Sequence, residues 1–154
     1  MREDMKNDAA EMLEASGLVD VKTFDNVYGY NHMLVERDIN VNSTCEHHFL
    51  PIVGHAHVAY IPNGRVVGLS KLNRIVDHYA RRPQVQERLT RQVLQSLQEL
   101  LGTEDVAVVI DAKHLCVSSR GIQDESSSTV TASYGGLFDN DVDTRNEFLT
   151  HVGV

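Results

Sequence analysis

Residues 70–102 read SKLNRIVDHYARRPQVQERLTRQVLQSLQELLG, and the fold turns on how this stretch is divided. Leu72, Ile75, Val76 and Tyr79 recur at i, i+3, i+4 and i+7, which predicts a helix starting near Ser70, whose hydroxyl could cap it. Pro83 interrupts the pattern, because its ring cannot sit inside a continuous helix. Val85, Leu89, Val93, Leu94, Leu97 and Leu101 then form a second apolar stripe, and Gly102 stands where a C-terminal cap belongs. Two amphipathic helices in succession need a common surface to bury against.

The flanking segments supply it. Residues 31–43 are rich in β-formers, His55 to Tyr60 alternates, and Pro62-Asn63-Gly64 reads as a turn into Val66-Val67. After the helices, Val106 to Ile110 is a buried-strand run that could continue to Cys116. Residues 128–138 alternate again, with Gly135-Gly136 as a bend. A short helix is expected at about 142–151. Near the start, Met5, Ala9, Met12 and Leu13 share one face of a leading helix, about 5–16, ended by Ser16-Gly17. The core order β-β-α-α-β-β predicts an α+β fold, an antiparallel sheet with two helices on one face. The 154 residues match one domain, with no linker or repeat to divide them.

With 22 acidic against 14 basic side chains the formal charge is −8, so no broad positive field exists to bind nucleic acid or an anionic membrane. A small anion can still be held by local basic residues, since screening confines charge effects to roughly 8 Å. The charged start, Met1-Arg2-Glu3-Asp4-Met5-Lys6, does not read as a secretory leader, and no apolar run reaches membrane-spanning length. The two cysteines, Cys45 and Cys116, suggest no disulfide framework. These features lead us to expect a cytoplasmic protein.

Both cysteines lie beside histidines, in Cys45-Glu46-His47-His48 and His114-Leu115-Cys116. Cys45 and His48 are three apart, as on one side of a tight loop. His114 and Cys116, two apart in an expected strand, would project from one sheet face. Two thiolates and an imidazole would give zinc three protein ligands and leave a fourth position for water, the pattern of a catalytic site. Taken alone, the residues also allow structural zinc, or no metal at all, since a buried Cys often acts only as a small hydrophobe. His32, His55, His57, His78 and His151 read as ordinary surface or core residues. Lys71 and Arg74 at a helix start, with Arg120 after the Cys116 segment, could bind phosphate oxygens. Arg81 and Arg82 read as a solvated face. Gln86 and Glu87 have the hydrogen-bonding groups to pair with a guanine edge.

Taken together, Cys45-Glu46-His47-His48-Phe49-Leu50-Pro51, Gly68-Leu69-Ser70-Lys71-Leu72, residues 84–90 and His114-Leu115-Cys116 with Arg120-Gly121 resemble, in order and spacing, the motifs of the type I GTP cyclohydrolases. The resemblance covers about residues 31–138. It implies the tunnelling fold, with one catalytic domain over 1–154, sheets joined into a barrel by oligomerisation, and toroidal homodecamers with active sites between subunits. It implies one Zn2+ per subunit on Cys45, His48 and Cys116. It also implies His47 as proton donor to the guanine imidazole while water attacks C8, and His114 for later proton transfers. Glu87 with Gln86 would hold the guanine edge. Ser70, Lys71, Arg74 and Arg120 would engage ribose and triphosphate, with Ser70 assisting the sugar rearrangement. The implied reaction converts GTP to 7,8-dihydroneopterin triphosphate and formate, the first step toward folate, biopterin or deazaguanine compounds.

Two departures stand out. The region before the first motif is shorter than in many members of that family. Val117-Ser118-Ser119-Arg120 stands where many members carry Met and other apolar residues, and the run Asp124-Glu125-Ser126-Ser127-Ser128 is unusually polar and acidic, implying altered local packing with the chemistry kept. Competing readings are another tunnelling-fold purine or pterin enzyme, a structural-zinc module and a catalytically silent zinc scaffold. A nitrile-reducing enzyme needs a nucleophilic Cys without zinc, and a pyruvoyl-pterin synthase uses three histidines. A structural site normally takes four protein ligands.

Overall fold

The computed structural model describes residues 23–154; the leading helix expected at 5–16 lies outside the described residues. Two long strands come first, β2 (Leu34–Cys45) and β3 (Pro51–Tyr60), after a short β1 (Thr23–Asp25). The turn at Pro62-Asn63-Gly64 leads into β4 (Arg65–Val67), which pairs antiparallel with β1. Then follow α1 (Leu69–Ala80), β5 (Pro83–Gln84) and α2 (Gln86–Leu101). The chain ends with β6 (Val106–His114), α3 (Leu115–Ser118), β7 (Thr129–Tyr134), α4 (Leu137–Asn140) and α5 (Val142–Val152). The main sheet has the order β5-β2-β3-β6-β7, with β2, β3, β6 and β7 antiparallel to their neighbours and β5 parallel to β2.

Strand alternation divides the side chains between two faces. Ile39, Val41, Ile52, Ala56, Val58, Tyr60, Val106, Val108, Ile110 and Ala112 point to one side and bury the stripes of α1 and α2. Each Leu, Ile or Val removed from water there contributes about 1.5–3 kcal/mol before the entropy of ordering is counted. The expected pair of helices on one face is therefore present. The opposite face is partly covered as well. Phe138 of α4 and Phe148 of α5 pack edge-to-face, with centroids 5.8 Å apart, over Ala59, Ala107 and Val109.

Three local expectations need correction. Ser70 does not cap α1: the N-cap is Gly68, no side chain caps it, and Ser70 lies exposed within the first turn. The strand after α2 stops at His114, so Cys116 sits on the single turn of α3 and not on the sheet. Pro83 does separate the helices, but Pro83–Gln84 also pairs with Thr44–Cys45, and this tie bears on the site. Gly102, with φ +65°, ends α2 as its sequence position suggested.

Candidate metal and nucleotide site

The β2–β3 hairpin ends in a loop that turns Cys45 and His48 toward each other. The Cys45 amide donates to Leu50 O at 2.8 Å, and the Phe49 amide donates to Cys45 O at 2.8 Å. Phe49 adopts φ +52°, an uncommon conformation for a bulky residue, which reverses the chain within the loop. The loop is also fastened from outside. The Glu46 amide donates to Gln84 O at 3.0 Å, and the Arg88 guanidinium binds the Glu46 carboxylate. Arg88 Nε donates to Gln84 Oε1 at 3.1 Å. The hydrogen bond from Arg88 to Glu46 lowers the pKa of the Glu46 carboxyl from its ordinary value.

Cys45 Sγ lies 3.7 Å from His48 Nδ1, and Cys116 completes a group whose ligand atoms all fall within 4.8 Å of one another. Two donors on a tetrahedral zinc, at ~2.0–2.3 Å from it, sit roughly 3.3–3.8 Å apart, so small side-chain adjustments suffice to close this set on one ion. Burial pushes the Cys116 thiol up, and the neighbouring Cys45 sulfur adds to the shift, because two ionised sulfurs at this distance repel. A divalent cation would reverse that repulsion. Among the described residues no fourth His, Cys, Asp or Glu joins the group. Cys45 is buried, Cys116 half-buried and His48 exposed, so the cluster opens to the surface on one side.

The histidines set aside for proton transfer flank this cluster. The His47 ring is exposed, with its centroid 6.4 Å from that of His48. His114 ends β6 opposite Ile52, and its Nε2 is 2.6 Å from Gln86 Oε1. Burial holds the His114 pKa below the usual histidine value, partly offset by the nearby charge of Glu87. Glu87 itself is exposed in the first turn of α2. Arg120, also exposed, lies close enough to Cys116 to favour its thiolate.

Gln86 is the residue whose expected role changes most. It is 2% exposed, its amide nitrogen is hydrogen-bonded to three protein oxygens, and its amide oxygen faces His114. With both amide hydrogens committed inside the protein, this side chain has no donor left for a guanine edge.

The basic residues of α1 are separated from the cluster. Val67 N–H donates to the hydroxyl of Tyr60, which fixes the start of α1 at the Tyr60 end of β3. Cys45, His48 and His114 gather at the Pro51 end of the same strand, about 26 Å away at ~3.3 Å per residue. Ser70 and Lys71 therefore stand far from the sulfurs of their own chain, with exposed Arg74 one turn further along. Among the described residues, one chain brings together Cys45, His48, Cys116, His47, His114, Glu87 and Arg120, but not Ser70 and Lys71. Sequence reasoning counted Gln84, Arg88 and Thr90 within the 84–90 motif but gave them no role of their own, and passed over Thr131. The i, i+4 spacing of Gln84 and Arg88 was a visible hint, whereas Thr131 carried none.

The family model for GTP cyclohydrolase I matches residues 3–153. The chain belongs to the GTP cyclohydrolase I family. Over 130 residues it is 68% identical to GTP cyclohydrolase 1 of Flavobacterium johnsoniae, covering 84% of this chain and 58% of that protein. GTP cyclohydrolase 1 of Aeromonas salmonicida is 54% identical over 143 residues, covering 93% and 66%. That of Aeromonas hydrophila is 58% identical over 129 residues, covering 84% and 59%. The chain thus spans about three-fifths to two-thirds of the length of these relatives. A solved structure of the archaeosine synthase QueF-Like in the apo form superposes with a TM-score of 0.56 at 17% identity, over 68% of this chain and 93% of that one. The likeness concerns the fold alone, and it sets this GTP cyclohydrolase I family member in the tunnelling-fold class. Among the described residues no helix is long and apolar enough to cross a membrane.

Proposed function

We propose that this chain catalyses the hydrolytic opening of GTP to 7,8-dihydroneopterin triphosphate and formate, with zinc held by Cys45, His48 and Cys116. The observation that carries the reading is the convergence of two sulfurs and one imidazole nitrogen within 4.8 Å, flanked by two further histidines. Membership of the family and the names of its relatives support it. The soft, borderline donor set suits zinc, which when bound would lower the pKa of water to about 7 and supply a nucleophile at neutral pH.

The chain's own residues then divide the work. His47, exposed beside His48, donates a proton to the imidazole nitrogen of the substrate as the ring opens. His114 handles the later transfers. The Glu87 carboxylate accepts N–H bonds from the guanine edge. Arg120, near Cys116, takes phosphate oxygens from the cluster side. Ser70, Lys71 and Arg74 hold ribose and triphosphate from a neighbouring copy, since in their own chain Ser70 and Lys71 lie at the far end of the sheet. The reading therefore includes a homo-oligomer, a toroidal decamer in the family's arrangement, working in the cytoplasm.

Incubation with GTP tests the reading directly. Formate and a pterin that fluoresces after oxidation should appear in equal amounts. Cys116→Ser should abolish both and lower zinc content while the far-ultraviolet circular dichroism stays unchanged. A zinc-free Cys116→Ser protein with full turnover would overturn the ligand assignment.

A further inference from the structure

Gln86 is held in one amide orientation, and that orientation dictates which nitrogen of His114 can exchange protons. Its Nε2 lies 3.1 Å from Ile110 O, 2.9 Å from Thr129 O and 3.0 Å from Thr131 Oγ1. Two of these are carbonyl oxygens, which only accept. An amide turned the other way would press its own oxygen against both of them, leaving acceptors facing acceptors in a buried place.

The hydroxyls give the same answer independently. Thr90 Oγ1 donates to Gln86 O at 2.8 Å, one helical turn back. Its single proton is then committed, so at the 2.7 Å contact with Thr131 Oγ1 Thr90 must accept. Thr131 gives its proton to Thr90 and keeps only lone pairs for Gln86 Nε2. Gln86 Oε1 is therefore an acceptor, and its 2.6 Å contact with His114 Nε2 requires hydrogen on that nitrogen. Among the described residues Nδ1 of His114 has no hydrogen-bond partner.

We propose that Gln86 is a positioning residue which keeps Nε2 of His114 protonated, so that every proton His114 exchanges with substrate passes through Nδ1. The inference rests on the functional reading above and adds to it. It makes Gln86 act through His114, with no contact to guanine, and it makes Thr131 and Thr90 the parts that orient the amide. A base whose exchanging nitrogen is fixed in advance spends no part of the reaction rearranging its tautomer or ring.

Nitrogen NMR of the full-length protein labelled in histidine reads the tautomer without turnover, with His114 assigned by difference against His114→Asn. Under mildly alkaline conditions, where an ordinary histidine is neutral, Nε2 should show the shift of a protonated ring nitrogen and Nδ1 that of a bare one. The reverse pattern overturns the proposal, as does an even mixture. Steady-state kinetics supply the second readout. Gln86→Met should lower kcat by roughly 10-fold or more with KM little changed, whereas a raised KM at unchanged kcat would return Gln86 to the guanine edge. Should the wild type fail to turn over GTP, the functional reading falls, and the NMR pattern still decides the tautomer.

Discussion

His57 sits within the sheet at 5% exposure, and its Nδ1 accepts the backbone N–H of Asp38 at 3.1 Å. Asp38 has φ +57° at the bulge where the β2–β3 register shifts between Glu36 and Ile39, so this hydrogen bond ties down an irregular strand. Burial holds the His57 pKa below the usual histidine value, with Asp38 and Asp111 opposing the shift and His55 and Arg37 adding to it. The folded state favours neutral imidazole, so the contribution is fully present above the unfolded pKa of about 6.5. It is lost as pH falls through the lower folded value, because the unfolded chain then binds the extra proton. Melting temperature should therefore fall between about pH 7 and pH 5, and the fall should be smaller in His57→Asn. His78 and His114 are depressed by burial too, so part of the slope should remain in that variant.

Two contacts between elements hold the cluster end of the sheet together. Gly54 faces Ala112 across the β3–β6 ladder, and a Cβ on it would meet Asp111 O at 2.1 Å and Ala112 Cα at 2.5 Å. Those atoms are backbone and cannot swing aside. Gly54→Ala must spread the two strands two residue pairs from the Ile52–His114 pair, and should destabilise the fold by about 3 kcal/mol in urea unfolding. The Arg88 link works differently. Its guanidinium is partly exposed and so is Glu46, and solvent screens a pair of this kind so that it adds little to stability. Yet it fastens the Cys45–His48 loop to the start of α2. Arg88→Met should leave urea stability nearly unchanged while weakening zinc about 10-fold in competition with a chelator.

At the scale of the molecule, the separation of Ser70 and Lys71 from the sulfurs carries the main consequence. If the proposed substrate spans both groups, each site must draw on two copies of the chain. Lys71→Ala and Cys116→Ser, each inactive alone, should complement when co-expressed, since a mixed assembly contains sites with an intact cluster from one copy and an intact lysine from the other. Random assortment gives about one quarter of wild-type activity in the GTP assay. No recovery, in mixed assemblies verified by mass spectrometry, would mean that both groups act within one chain. Zinc removal is a second whole-molecule test. Cys45 belongs to the core of α1, α2 and the sheet and Cys116 packs against it, but the rest of that core is apolar side chains that need no metal, so the apo protein should stay folded, with a lower melting temperature that zinc restores in a concentration-dependent way.

The sequence alone determined the two helical stripes, the break at Pro83, the succession of main strands along the chain around them and the two Cys/His clusters. Those features are local: periods of 3.6 and 2 record which side chains face the core, and a motif records which chemistry is near. Tertiary structure alone decided that Cys116 turns in on α3, that Gln86 is buried against His114, and that Ser70 and Lys71 stand at the opposite end of the sheet from the sulfurs. Each depends on contacts between residues distant in the chain. Pro83–Gln84 pairs with Thr44–Cys45 only once the sheet exists, and Gln86 finds Thr129 and Thr131 more than forty residues further on. A side chain's partners are set by where folding brings the backbone, and no short-range pattern encodes that.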